Sequence, residues 1–215
     1  MGGAAHTRFN ASLKGIAAGS APASFGGFFA VDIKEYYLAL GQFITGFSTV
    51  EKALLQVVWK EAGLSSPLAP AIMHGLRVTG AIEALTRIHE ANGTTIHPQL
   101  AHALKQLAVI NTSRNWIVHW GVNLSEPQSP KVTNDLTSHC QDSLRGIPVS
   151  VNVIERMFMD LGGIDIALMF CLYGNEENGF TLDSIETPTW LYKFPQSKAT
   201  QAKNPKKRDT RKPQR

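Results

Sequence analysis

The first patterned stretch of the chain begins near Asp32. Ile33, Tyr36, Tyr37, Leu40, Phe43, Ile44, Phe47, Val50, Leu54 and Val58 recur at spacings of three and four. That spacing lays apolar side chains along one side of a helix and predicts a long amphipathic element. Asp32 near its start and Lys60 near its end complement the helix dipole, and Gly63 and Pro67 stop it. A second helix is expected from Leu68 to Ala91, with Ile72, Leu76, Ile82, Leu85 and Ile88 inward. Gly75 and Gly80 weaken its period, and Asn92-Gly93 ends it. A third starts at His97-Pro98, with proline in its first turn, and continues through Leu100, Leu104, Leu107, Ile110 and Arg114 to Gly121. A last helix spans Ser150 to Tyr173, with Val151, Ile154, Phe158, Leu161, Ile164, Leu168 and Cys171 inward.

The stretches between these helices carry weaker signals. Residues 121–148 contain Pro127 and Pro130 and show no sustained period, with a short helix expected from Asn134 to Leu144. Phe180 to Phe194 reads either as a strand or as a segment draped over the helices. Residues 1–30 are rich in Gly, Ala and Ser and read as a flexible lead-in, and residues 195–215 as a disordered basic tail. Four to five helices with little strand signal predict an all-α bundle over residues 31–194.

Composition sharpens this picture. The 215 residues suit one domain, and 43% hydrophobic residues suffice for a real core. The formal charge of +4 is unevenly spread. Residues 198–215 hold 8 basic side chains against Asp209 alone, a net of +7. The remaining 13 basic and 16 acidic residues leave a body of −3. Two cysteines, Cys140 and Cys171, cannot build a disulfide scaffold or a four-thiolate zinc site, so reduced thiols and a cytoplasmic location are expected. No stretch approaches the roughly 20 apolar residues of a membrane helix. The most apolar one, Met157 to Tyr173, is interrupted by Asp160 and Asp165. Arg8 and Lys14 are not followed by an apolar run, so a secretory signal is not expected. No glycine-rich phosphate loop and no His/Cys cluster appears, and no cofactor or metal is expected.

The candidate chemistry lies at the end of the third helix, in Ser113-Arg114-Asn115-Trp116-Ile117-Val118-His119-Trp120. Arg114, four intervening residues and His119 make the one Arg–His pair at this spacing in the chain. The segment resembles the R-x4–6-H motif of the HEPN superfamily, and Asn115 follows the arginine as a polar residue often does there. The resemblance covers the bundle from about Asp32 to Tyr173. It implies a HEPN-like helical bundle and a metal-independent ribonuclease. It also implies a homodimer that brings two motifs together, an RNA substrate, and a toxin–antitoxin or phage-defence setting with an antitoxin partner.

The residues fit that chemistry. Attack of an RNA 2′-OH on the adjacent phosphate needs a group that moves protons near neutral pH, which His119 supplies. It also needs fixed positive charge on the phosphate, which Arg114 supplies. Asn115 is the expected positioning residue. Five residues advance a helix by about 500°, so Arg114 and His119 point about 140° apart. Either the helix loosens before His119, or the pocket wraps it, or a second protomer completes the site. Trp116 and Trp120, four apart, share one side and suit a dimer seam or a base-stacking platform. Glu51 sits within the apolar stripe of the first helix and needs a partner, with Arg114 first among the candidates and Arg77 and Arg87 as alternatives. Lys203, Lys206, Lys207, Arg208, Arg211 and Lys212 form a candidate RNA tether. The competing readings are a catalytically silent bundle used for binding or scaffolding, and a nucleic-acid-binding protein whose Arg–His pair is incidental.

Overall fold

The computed structural model describes residues 33–65, 67–124, 130–133, 146–174, 177, 179 and 181–195. The lead-in, Cys140, the helix expected from Asn134 to Leu144 and the six basic tail residues lie outside them. Among the described residues five α-helices follow in order: α1 (Ile33–Glu61), α2 (Leu68–Met73), α3 (Val78–Ala91), α4 (Pro98–Trp120) and α5 (Val151–Tyr173). The protein is an all-α bundle with one small two-stranded accessory, and α1 against α5 is its most extensive pairing.

The core follows the sequence pattern closely on α1, where Tyr36, Phe43, Phe47, Val50, Leu54 and Val58 are buried. They meet Ile154, Met157, Leu161, Ile164 and Leu168 of α5 and Leu100, Leu104, Leu107 and Ile110 of α4 in one cluster. At the far end of α1, Lys60 donates from Nζ to the carbonyls of Cys171 (2.7 Å) and Leu172 (3.1 Å). This places a cation on the negative end of α5 and satisfies two carbonyls that the helix itself leaves open.

Four expectations need correction. The helix expected from Leu68 to Ala91 is two helices, because the chain turns at Gly75, whose φ of +80° only glycine adopts without strain. Ile72 of α2 consequently points to solvent, as do Ile33 and Tyr37 at the start of α1. Residues 121–148 are not wholly irregular. Lys131–Thr133 (β1) pairs antiparallel with Gly146–Pro148 (β2), Val132 opposite Ile147, and both of those side chains are buried. Three-residue strands carry too little alternation to register in a sequence. Finally, Phe158 faces outward with 39% of its surface exposed, and Met157 takes the core position beside it.

Residues 181–195 form no strand. After a single 3₁₀ turn (Leu182–Ser184) they run extended along α4, in the same direction. Their contacts climb the helix in register: Asp183 meets His97, Thr187 meets Gln99, Pro188 meets His102, Tyr192 meets Gln106 and Ser113, and Phe194 meets Trp116. This strap covers one side of α4 and leads from the bundle into the tail sequence.

Candidate functional site

Two polar centres stand out on α4, and the strap touches both. The first is buried. Asp160 of α5 is 3% exposed, and its carboxylate accepts three N–H groups. They are Gln106 Nε2 at 2.7 Å, the backbone of Leu191 at 2.8 Å and that of Tyr192 at 2.9 Å. Gln106 Nε2 also donates to the carbonyl of Tyr192 at 2.9 Å. A buried carboxylate with no cation beside it among the described residues is tolerable when its oxygens are this well engaged. Nearby, Ser113 Oγ and the Tyr192 hydroxyl share a 2.6 Å hydrogen bond. Burial raises the Tyr192 phenol above its ordinary value, and the Ser113 bond partly opposes that.

Further clips flank this anchor. His97 caps α4, its Nδ1 accepting from the Gln99 amide at 3.3 Å. Nε2 is then the protonated nitrogen and donates to Asp183 at 3.0 Å. His102 donates from Nε2 to the Pro188 carbonyl at 3.2 Å and stacks on Trp190 with ring centroids 5.1 Å apart. Gly163 lies under that indole, where a Cβ would come within 3.2 Å of it.

The second centre is the segment singled out by sequence. α4 stays regular to Trp120 and ends at Gly121, so the helix does not loosen before His119. Arg114 is half-buried, and its Cζ lies 5.3 Å from the centroid of the Phe47 ring, a cation–π contact across the core. Its Nη1 donates to Asn115 Oδ1 at 3.1 Å. Its Nε is buried and has no acceptor among the described residues. No ion pair joins Glu51 to Arg114 among the described residues; those formed there include Arg87 with Glu83 and His97 with Asp183. Glu51 is half-buried, one turn beyond Phe47 on α1.

His119 is exposed and makes no hydrogen bond among the described residues. It lies one turn beyond Asn115, on the same side of α4. Asn115 thus stands between the two groups, bonded to the guanidinium and adjacent to the imidazole's side of the helix. Trp116 and Trp120 contact each other with ring centroids 4.3 Å apart and planes at 48°. Phe194 of the strap packs edge-on against Trp116 at 5.7 Å, so one side of that indole is already covered. The arrangement offers a fixed cation, an amide, an exposed imidazole and an aromatic pair within two turns of one helix.

Elsewhere, burial pushes the Cys171 thiol up to about 11, with Glu61 adding to the shift and Lys60 opposing it, which makes it a poor nucleophile. No group of three His, Cys, Asp or Glu side chains among the described residues is placed to hold a metal ion. No helix among them is long and apolar enough to cross a membrane.

Sequence reasoning missed the Asp160 anchor. Its signal was there: Asp160 sits beside Leu161 and one turn before Ile164 on the inward side of α5, and Gln106 lies beside Leu107 on the inward side of α4. Two polar residues inside apolar stripes of two helices are the mark of a buried bond between them. No protein-family model, no curated protein and no solved structure matches the chain.

Proposed function

We propose that the protein acts on RNA and cleaves it as a metal-independent endoribonuclease of the kind the HEPN resemblance implies. The observation that carries this reading is Arg114. A half-buried guanidinium usually meets a carboxylate, and this one meets an aromatic ring and a neutral amide, with a buried Nε left unpaired. It is a positioned cation without a counter-charge among the described residues, as a phosphate site requires.

In this reading Arg114 holds the scissile phosphate and Asn115 orients it. His119 takes the proton from the 2′-OH as that oxygen attacks phosphorus. The bond from phosphorus to the 5′ oxygen breaks, and the imidazolium returns the proton to the departing oxygen. The products are a 2′,3′-cyclic phosphate and a free 5′-OH. The 140° between Arg114 and His119 leaves two ways to join them: a substrate that wraps the helix end, or a second protomer. The strap supports a role for the tail, because its last described residues lie at Trp116 and the +7 segment follows from there. The −3 body needs such a segment for long-range attraction.

The test is cleavage of single-stranded RNA in EDTA. The wild type is expected to cut and His119→Ala to be inactive with an unchanged far-UV CD spectrum. Equal cleavage by the variant sinks the proposal. A second reading, a binding module without catalysis, is favoured by the unpartnered ring of His119, since no described group orients it. It predicts salt-sensitive RNA binding without cleavage.

A further inference from the structure

Beyond exposed Glu155 and Arg156 near its start, the outer face of α5 is largely apolar. Phe158, Met159, Ile166, Met169 and Tyr173 are all exposed, Met159 to 63% and Ile166 to 52%, and they follow one another at helical spacings along the helix. A helix apolar on both sides is normally covered on both. Beside this ridge, between α5 and α1, runs a groove of about 460 Å³ with Gly46 and Gly162 among its lining residues. It continues along α1 past Gly41 towards Tyr37 and Leu38, which are also exposed. Among the described residues, Asp165 is the one charged side chain lining either section.

We infer that this α1/α5 face is the contact surface for a second copy of the chain. Ridge and groove lie side by side on the same face, which is what a two-fold interface needs, since each protomer must offer both halves of the fit. The exposed parts of the named side chains amount to roughly 800 Å², with aromatic residues at about 150–250 Å² apiece when whole. A standard stable interface takes about that area from each partner. The scarcity of charge argues against RNA, which is drawn to cationic surfaces, as the occupant. None of Arg114, Asn115, Trp116, His119 and Trp120 lines the groove, so this contact is separate from the aromatic pair at the end of α4.

Sedimentation of the full chain at about 20 μM separates the outcomes. The wild type is expected at twice 23.5 kDa. Ile166→Glu and Met159→Glu, both at exposed positions, are expected to weaken the dimer at least 100-fold with helical CD retained, while Trp116→Ala remains dimeric. As a second measurement, Ile166→Cys with Cys140→Ser and Cys171→Ser is expected to join to a nearby partner through a bifunctional thiol crosslinker. The inference is overturned if the wild type is a monomer, whether its groove is filled by residues 1–32, by lipid or by nothing. It is equally overturned if the glutamate variants stay dimeric, if only Trp116→Ala dissociates the dimer, or if the cysteine variant does not crosslink. RNA cleavage is read separately, so failure of the dimer and failure of the nuclease reading are distinguishable.

Discussion

Asp160 and Arg114 are both charged groups turned towards the inside of the same bundle, and they are treated oppositely. Asp160 is closed in, and three N–H donors at 2.7–2.9 Å occupy its oxygens. Among the described residues Arg114 keeps one bond to a neighbouring amide, a cation–π contact with the Phe47 ring, and an Nε with nothing to donate to. A fully engaged polar group fixes one arrangement and has no capacity left for a ligand. A partly engaged one lowers stability unless something else completes it. The contrast assigns Asp160 to architecture and leaves Arg114 available for chemistry.

Substitutions at the two centres should therefore fail in different ways. The largest loss of stability is expected from Asp160→Asn. The amide removes the negative charge and turns one acceptor into a donor facing donors, costing about 2–4 kcal/mol. Urea denaturation would show it, and limited proteolysis should cut within residues 181–195. An unchanged unfolding midpoint would remove the architectural half of the comparison. Tyr192→Phe comes next. It leaves Ser113 buried without its partner and should cost about 1–2 kcal/mol in the same assay. The smallest change in stability is expected from Arg114→Ala, about 0.5–1 kcal/mol from the lost contact with Phe47. Under the proposed function its effect on RNA cleavage should be the reverse of small, a drop of about 10²–10³-fold. A variant strongly destabilised yet fully active would invert the assignment.

The sequence made the bundle readable because α1, α4 and α5 are long enough for periodicity to accumulate over several turns. The caps at Pro98 and Gly121 were legible for the same reason: proline and glycine act locally. The strap was not legible as structure. Beyond its 3₁₀ turn its residues bond through the backbone to Gln99, His102, Gln106 and Asp160, so no internal period runs along it to be read. The strap also alters α4, whose covered side carries His97, Gln99, His102, Gln106 and Ser113 instead of aliphatic residues. Polar side chains there look like a solvated face until the strap is known to lie on them. At the candidate site, the residue types of Arg114, Asn115 and His119 could be named in advance. What could not be foreseen was the partner. Glu51 and Arg114 belong to elements far apart in sequence, and their failure to pair depends on how α1 and α4 meet.

The strap also determines how the molecule would bear load. If residues beyond Pro195 were held by a ligand and pulled, the force would enter at Phe194 and strain its edge contact with Trp116 first. It would next reach the Leu191 and Tyr192 amides, whose bonds to one carboxylate would have to give together rather than one after another. Several bonds sharing a load resist it better than the same bonds peeled in turn. Asp160 would thus take tension on the tail into α5 before it reached the rest of the strap, while Trp116, next to Asn115, lies on the side that would feel it first.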